Sequence, residues 1–265
     1  MKFALGVEYN GSKYHGWQYQ KKYSSVQEEL EKSISRIANH NITTVCAGRT
    51  DAGVHSTFQV VHFETSVIRS DYAWTVGVNN YLPKDISILW VKKVPEEFNA
   101  RYSALSRTYR YIIYNYKFRS SILNNQLFHV YEELNVKNMH QAGQYLIGEH
   151  DFTSFRGATC QSSTPYRKVM NLIVFRFNNY IIIEITANSF LYHMVRNIVG
   201  CLLEVGRNRK KIEWILMVLN TKDRNKINYT TVKAEGLYLV SIDYPICFDL
   251  PKASVGPIFC QNLCN

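Results

Sequence analysis

The chain has 265 residues, enough for one large domain or two small ones with a buried core. Hydrophobic residues make up 46% and charged residues 20%, a balance that excludes a disordered chain and fits a soluble globular protein. Thirty-one Lys and Arg against 21 Asp and Glu leave a net charge of +10, which favours a polyanionic partner, either nucleic acid or an anionic membrane surface.

Lys2 to Tyr9 alternates as a strand. The loop after it, Asn10 to Lys22, interleaves Tyr14, His15, Trp17 and Tyr19 with Lys13, Lys21 and Lys22. That is the composition of a surface contacting single-stranded RNA, and equally of a structural loop anchored by Trp17. Ser25 and Glu28 read as a capping box, after which Val26, Leu30, Ile34 and Ile37 share one helical face. The β-branched run Thr43 to Cys46 enters the stretch Ala47 to Ser56, and Gln59 to Glu64 reads as the next strand. Ser70 or Asp71 caps a second helix through about Asn80, and Ile86 to Val94 is a strand.

Phe98 to Ala104 is a short connector, expected to divide the chain into halves at 1–104 and 105–265. Leu105 to Asn115 is a strand that places Arg107, Tyr109, Tyr111 and Ile113 on one face. A helix is expected from about Val136 to Gly148, then a polar loop from Asp151 to Pro165, where Ser154 to Gly157 either reach a substrate or are plain loop. Asn178-Asn179 between two β-rich runs is a hairpin signal. Asn188 or Ser189 caps a helix running to Gly206. That helix is apolar almost all round except for a stripe of His193, Arg196, Asn197 and Glu204, with Gly200 in line. Polar groups on a buried helix need partners, and for His193 a satisfied core position stands beside a functional one. The cations Arg207 to Lys211 suit the helix dipole and equally suit phosphate. A short helix, Ile212 to Leu219, and a strand, Gly236 to Tyr244, complete the pattern.

The six cysteines include no Cys-x-x-Cys pair, and no His-Glu-x-x-His occurs, so a zinc site has no support. Cys46 and Cys201 lie in apolar runs and are expected as buried thiols. Met1 leads into a strand pattern without a signal-peptide pattern, and no apolar run reaches transmembrane length. A reducing compartment, the cytosol, is expected.

The stretch that organises the chain is Ala47-Gly48-Arg49-Thr50-Asp51-Ala52-Gly53-Val54-His55-Ser56. Strand, glycine-bracketed loop and strand follow one another, and the loop presents a guanidinium, a hydroxyl and a carboxylate. An Asp in a glycine-bracketed loop is also an ordinary turn residue. The string Gly-Arg-Thr-Asp-Ala-Gly-Val-His closely resembles the active-site motif of the tRNA pseudouridine synthase A family. Further resemblances follow in order: Gly11-Ser12-Lys13-Tyr14-His15-Gly16-Trp17-Gln18, Phe98-Asn99-Ala100-Arg101, Ser106 to Tyr111, Ser189 to Asn197, and Ala234 to Leu239. Ser56 and Phe58 depart from the pattern, standing near where glycines are expected, which bears on the packing behind the loop.

The resemblance implies an α+β pseudouridine synthase fold: a mixed, mostly antiparallel sheet built from two βαββ-like halves flanked by helices, with a basic cleft between the halves. It implies a cofactor-free, cytoplasmic isomerase of uridine at positions 38, 39 and 40 of the tRNA anticodon arm, acting as a homodimer. Motif by motif, Asp51 is the nucleophile, Tyr109 lies against the target base, Arg196 pairs with the aspartate and Leu237 is an apolar wall; Arg49 neighbours the nucleophile. The chemistry is consistent on its own terms. Breaking an N-glycosidic bond builds positive charge at the sugar carbon, which an ionised carboxylate stabilises or attacks. A guanidinium favours that ionised form. A target base leaves its stack at least cost in a loop or at a stem end. Two rivals stand: a non-catalytic RNA-binding protein, and a nucleoside or glycoside hydrolase. The hydrolase needs a second acid, and the candidates Glu64 and Glu184 lie within expected strands.

Overall fold

The computed structural model describes residues 1–252, 256, 257 and 259. In chain order the first elements are β1 (Lys2–Tyr9), α1 (Val26–Ala38), β2 (Val45–Cys46), β3 (His55–Glu64) and β4 (Ile86–Val94). Then come β5 (Ser106–Asn115), β6 (Phe128–Val130), α2 (Val136–Gln144), β7 (Gly148–Asp151), β8 (Tyr166–Phe177) and β9 (Tyr180–Ala187). The last are α3 (Met194–Gly206), α4 (Trp214–Thr221) and β10 (Leu237–Asp243). The fold is α+β. It divides into two compact units: Met1–Arg107 with the chain from Tyr238 on, and Thr108–Leu237. The first crossover falls three residues past the expected division at 104, and β10 returns to the first unit.

In the first unit the strand order is β4-β1-β3-β10, with β2 on β3. The pairs β4/β1, β1/β3 and β2/β3 are antiparallel and β3/β10 is parallel. The Ser25 hydroxyl accepts the Glu28 N–H at 3.3 Å and opens α1; Asn39 at φ +58° ends it. Val26, Leu30 and Ile34 are fully buried from this helix, each contributing about 1.5–3 kcal/mol by leaving water. They share one core with Phe3, Leu5 and Val7 of β1, Phe63 of β3, and Trp17. The second helix forms over residues 71–79, capped by the Ser70 hydroxyl, and holds a π-helical stretch, Ala73–Gly77. That stretch seats Trp74 between Phe3 and Phe63, with ring centroids at 5.8 and 5.2 Å.

In the second unit the order is β5-β9-β8-β7, with β6 parallel to β5. The expected hairpin closes with Phe177 opposite Tyr180 and Asn178 at φ +50°. Two expectations need correction. The helix from Val136 stops at Gln144 rather than near Gly148: three tight turns carry the chain to Gly148, whose φ of +112° starts β7 against β8. Part of the expected polar loop therefore belongs to this strand, and Phe152 and Phe155 in it are fully buried. The buried helix begins at Met194, five or six residues after Asn188 or Ser189. The Asn188 side chain is used otherwise, accepting the N–H of Lys168 at the end of the β8/β9 pairing. His193 enters the helix at φ +61°. Among the described residues no helix is long and apolar enough to cross a membrane.

Candidate active site

The Asp51 loop spans the turn between β2 and β3 in the first unit, and its backbone is tied down almost residue by residue. Ala47 O accepts two bonds from the Arg107 guanidinium, at 3.2 and 2.9 Å. Gly48 O accepts the Gln59 amide at 2.7 Å. The Thr50 hydroxyl meets the Tyr9 hydroxyl at 2.8 Å, and Thr50 O accepts the Trp17 N–H at 3.0 Å. Asp51 O accepts the Val54 N–H at 3.1 Å, and the Gly53 N–H donates to Tyr14 O at 3.2 Å. One such bond is worth about 1 kcal/mol net. Together they hold the loop in a single geometry, as a reacting carboxylate requires. Thr50 and Val54 are buried, Asp51 is half-buried and Arg49 is exposed.

The Tyr14-His15-Gly16-Trp17 segment braces this loop. Gly16 has φ +90°, and a Cβ there would lie 2.5 Å from Thr50 O and 3.1 Å from the Asp51 carbonyl carbon. The segment thus approaches the backbone of Asp51 more closely than any side chain allows. Trp17, 1% exposed, fills the core beneath, so the anchoring role expected of it is met. His55, at the other end of the loop, accepts the Gly11 N–H on Nδ1 and stacks on Tyr238 at 4.6 Å. Behind the loop, Ser56 donates to Leu239 O at 3.0 Å and Phe58 packs on Trp90, so both departures from the glycine pattern fill space in the core. Burial pushes the nearby Cys46 thiol up to about 12 against the opposing pull of Arg49, which leaves it a packing residue and no competing nucleophile.

Arg49 and Asp51 belong to the first unit; Tyr109, Arg196 and Leu237 belong to the second. Tyr109 is buried on β5, with Phe190 edge-on at 5.0 Å. Its neighbours on the strand are committed: Thr108 bonds Thr186 at 2.9 Å, and Arg110 pairs with Glu184 at 2.7 Å. Glu64 pairs with Lys2 at 3.3 Å. Both acids that a hydrolase reading would recruit are thus held in ion pairs on strands.

The polar stripe of α3 receives the segment of residues 229–232. Asn197 accepts the Thr231 hydroxyl at 2.5 Å and donates to Phe155 O at 2.8 Å. Gly200 admits Thr230 O to within 2.2 Å of where a Cβ would be. The Arg196 Nε–H donates to Val232 O at 2.8 Å. Burial, reinforced by the charge of Arg196, lowers the His193 pKa to about 4, so its imidazole is neutral at pH 7. Most of the stripe is therefore a packing seam, which accounts for Asn197 and Gly200 without any substrate. In the cluster after α3, Arg207 bonds Glu132 and Glu204, Arg209 bonds Glu132, and Lys210 lies over Trp214. These partners favour the helix-end reading of that cluster. Arg156 turns back on its own loop, donating to Cys160 O and Ser162 O.

Sequence reasoning missed Tyr9, Gln59 and Arg107 as supports of the Asp51 loop. The available signal was strand alternation, which puts Gln59 on the face of Val61 and Phe63, and Arg107 on the face of Tyr109 and Tyr111. Among the described residues, no three His, Cys, Asp or Glu side chains converge as metal ligands would.

Comparison with known proteins gives the family of the chain. The tRNA pseudouridine synthase family model matches residues 6–103 and 142–245, stretches that hold Asp51, Arg196 and Leu237, with Tyr109 between them. The chain is 60% identical over 258 residues to tRNA pseudouridine synthase A of Buchnera aphidicola subsp. Baizongia pistaciae, covering 97% of each chain. It is 58% identical over 257 residues to the protein of that name from Buchnera aphidicola subsp. Acyrthosiphon pisum, covering 97% of this chain and 96% of the relative. It is 55% identical to that of Vibrio vulnificus over 265 residues, the whole of both chains. With the family model spanning both units and such identity along the full length, the chain belongs to the tRNA pseudouridine synthase family.

Proposed function

We propose that the chain converts uridine to pseudouridine at positions 38, 39 and 40 of the tRNA anticodon stem-loop, as a cytoplasmic homodimer, with Asp51 as nucleophile. The observation that carries this reading is the Asp51 loop itself. A half-buried carboxylate stands on a turn whose carbonyls at Ala47, Gly48, Thr50 and Asp51 are all hydrogen-bonded. An ordinary surface turn carrying an Asp has no use for a buried guanidinium, a buried amide and a glycine brace behind it.

In this reading the N1–C1′ bond of the target uridine breaks, with Asp51 meeting the positive charge that develops. The freed uracil turns while held against the Tyr109 ring, with Leu237 as an apolar wall. C5 then bonds C1′, the C5 proton leaves to solvent and N1 takes one up, so the nucleotide keeps its composition. Arg196 supplies the cation that keeps the carboxylate ionised, and Arg49 contacts the substrate from the loop itself.

The test is incubation with a tRNA transcript tritiated at uridine C5. The expected result is released tritium and intact RNA carrying pseudouridine. Binding without release supports a non-catalytic RNA-binding protein; free uracil or an abasic site supports a hydrolase.

A further inference from the structure

The residues that brace the Asp51 loop also carry an exposed finger that the chemistry above leaves unused. Between Trp17 and Val26 the chain makes an excursion and returns: the His15 N–H donates to Ser24 O at 3.0 Å and the Tyr23 N–H to Gln20 O at 3.4 Å. The Gln20 amide donates to His15 O at 3.0 Å, and the Tyr19 N–H to the Gln27 side chain at 3.1 Å. The finger is thus a formed element rooted in Gly16 and Trp17, the residues packed on the backbone of Thr50 and Asp51.

Its side chains point away from the core. His15 and Tyr23 stack on each other with centroids 4.2 Å apart and planes 26° off parallel. Tyr23 is 51% exposed and Tyr19 50%. Lys21 and Lys22 at the tip are exposed, and neither makes an ion pair among the described residues. Exposed rings held in a fixed orientation beside cations without partners are how a protein takes hold of unpaired nucleotides: rings stack on bases and cations meet phosphates.

The geometry points to the finger of residues 18–24, with His15, as the site that holds the unpaired nucleotides next to the target uridine. In this assignment a base lies on the exposed Tyr23 ring and Lys21 and Lys22 take the phosphates that follow. It rests on the reading of Asp51 as the reacting group, because it is the brace on Asp51 that brings the finger to the substrate.

The experiment compares the full-length protein with Tyr23→Ala, Tyr23→Phe and the double variant Lys21→Gln/Lys22→Gln. The probe is an anticodon stem-loop transcript tritiated at uridine C5. Filter binding between 50 and 200 mM salt and single-turnover release at saturating protein are both measured. Tyr23→Ala weakens binding on the order of ten-fold, and Tyr23→Phe, which keeps the ring, stays within about two-fold of wild type. The double lysine variant flattens the log–log salt dependence by roughly 1.4, two contacts at about 0.7 each on a single strand. A finger that only supports the fold moves neither the salt slope nor the difference between Ala and Phe. Unchanged affinity and slope in folded variants overturn the assignment even where the wild type turns over. A wild type that binds but releases no tritium counts against Asp51 chemistry instead, and leaves the binding comparison to decide the finger.

Discussion

Replacing Gly16 by alanine tests whether the brace positions the Asp51 carboxylate proposed to react. The new Cβ would lie 2.5 Å from Thr50 O, a backbone atom that no rotamer change can move aside. Ordinary contact begins near 3.4 Å, so the two loops must part by about 0.9 Å. A misplacement of about 1 Å at a reacting group costs on the order of 100-fold in rate. The positive φ of Gly16 adds a stability cost of about 1–2 kcal/mol for a residue with a side chain. In a chain of this size that lowers the melting temperature by roughly 2–8 °C. The expected outcome is a folded protein whose kcat for tritium release falls about 100-fold, because the support of the Asp51 backbone is displaced while the carboxylate itself is kept. Gly77→Ala is the control: its nearest neighbour would be the Ile37 methyl at 3.4 Å and its φ is not positive, so activity stays at the wild-type level. A Gly16→Ala protein with wild-type kcat refutes the reasoning, since Asp51 would then tolerate a displaced support.

Arg107→Met strips the buried Ala47 carbonyl and the part-buried Arg101 and Ala104 carbonyls of the guanidinium; it lowers unfolding stability by about 3 kcal/mol in urea titrations, and Arg107→Lys recovers part of that loss. Arg196→Met loses most activity, and if Arg196 is the charge partner of Asp51 its stability cost shrinks in an Asp51→Asn background by at least about 0.5 kcal/mol; strict additivity in that double-mutant cycle removes the pairing. His193 and His62 both titrate below the ordinary histidine range, His193 near 4 through burial and Arg196, and His62 lowered through burial and Lys2. The unfolded chain takes up their protons near pH 6.5 while the folded protein does not, so stability is full above that pH and falls toward pH 4; His193→Asn flattens this fall in urea midpoints at pH 7, 5.5 and 4.5.

The parts of the fold legible in the sequence are those whose signal is local. β1 and β4 match their expected bounds because apolar alternation and a following proline or loop mark both ends. α1 was legible through Ser25, whose hydroxyl does cap it. The start of α3 was not, because Asn188 looks like a cap in sequence while its side chain ends a strand pairing twenty residues back. The end of α2 was hidden similarly: Gly148 reads as a helix stop, and only the partner strand β8 shows that it begins a strand. At the candidate site, Asp51 stood out through its own string of residues. Its supports did not, since Arg107 and Gln59 act through carbonyls 60 and 11 residues away and their sequence neighbours say nothing of that. The polar stripe on α3 was read correctly as needing partners, but those partners are Val232 O and Thr230 O, the Thr231 hydroxyl, Phe155 O and the Arg207 side chain, which no pattern in the stripe can indicate.

The central claim is that Asp51 reacts, and Asp51→Asn tests it most directly, in single-turnover tritium release with tRNA binding measured on the same preparation. The amide is nearly isosteric with the carboxylate but carries no charge and is a poor nucleophile. The account predicts release reduced on the order of 10⁴-fold or more, with affinity for tRNA within a few-fold of wild type. Release near the wild-type rate, in protein shown by mass spectrometry to be free of deamidation back to aspartate, would contradict it and return Asp51 to the role of a turn residue.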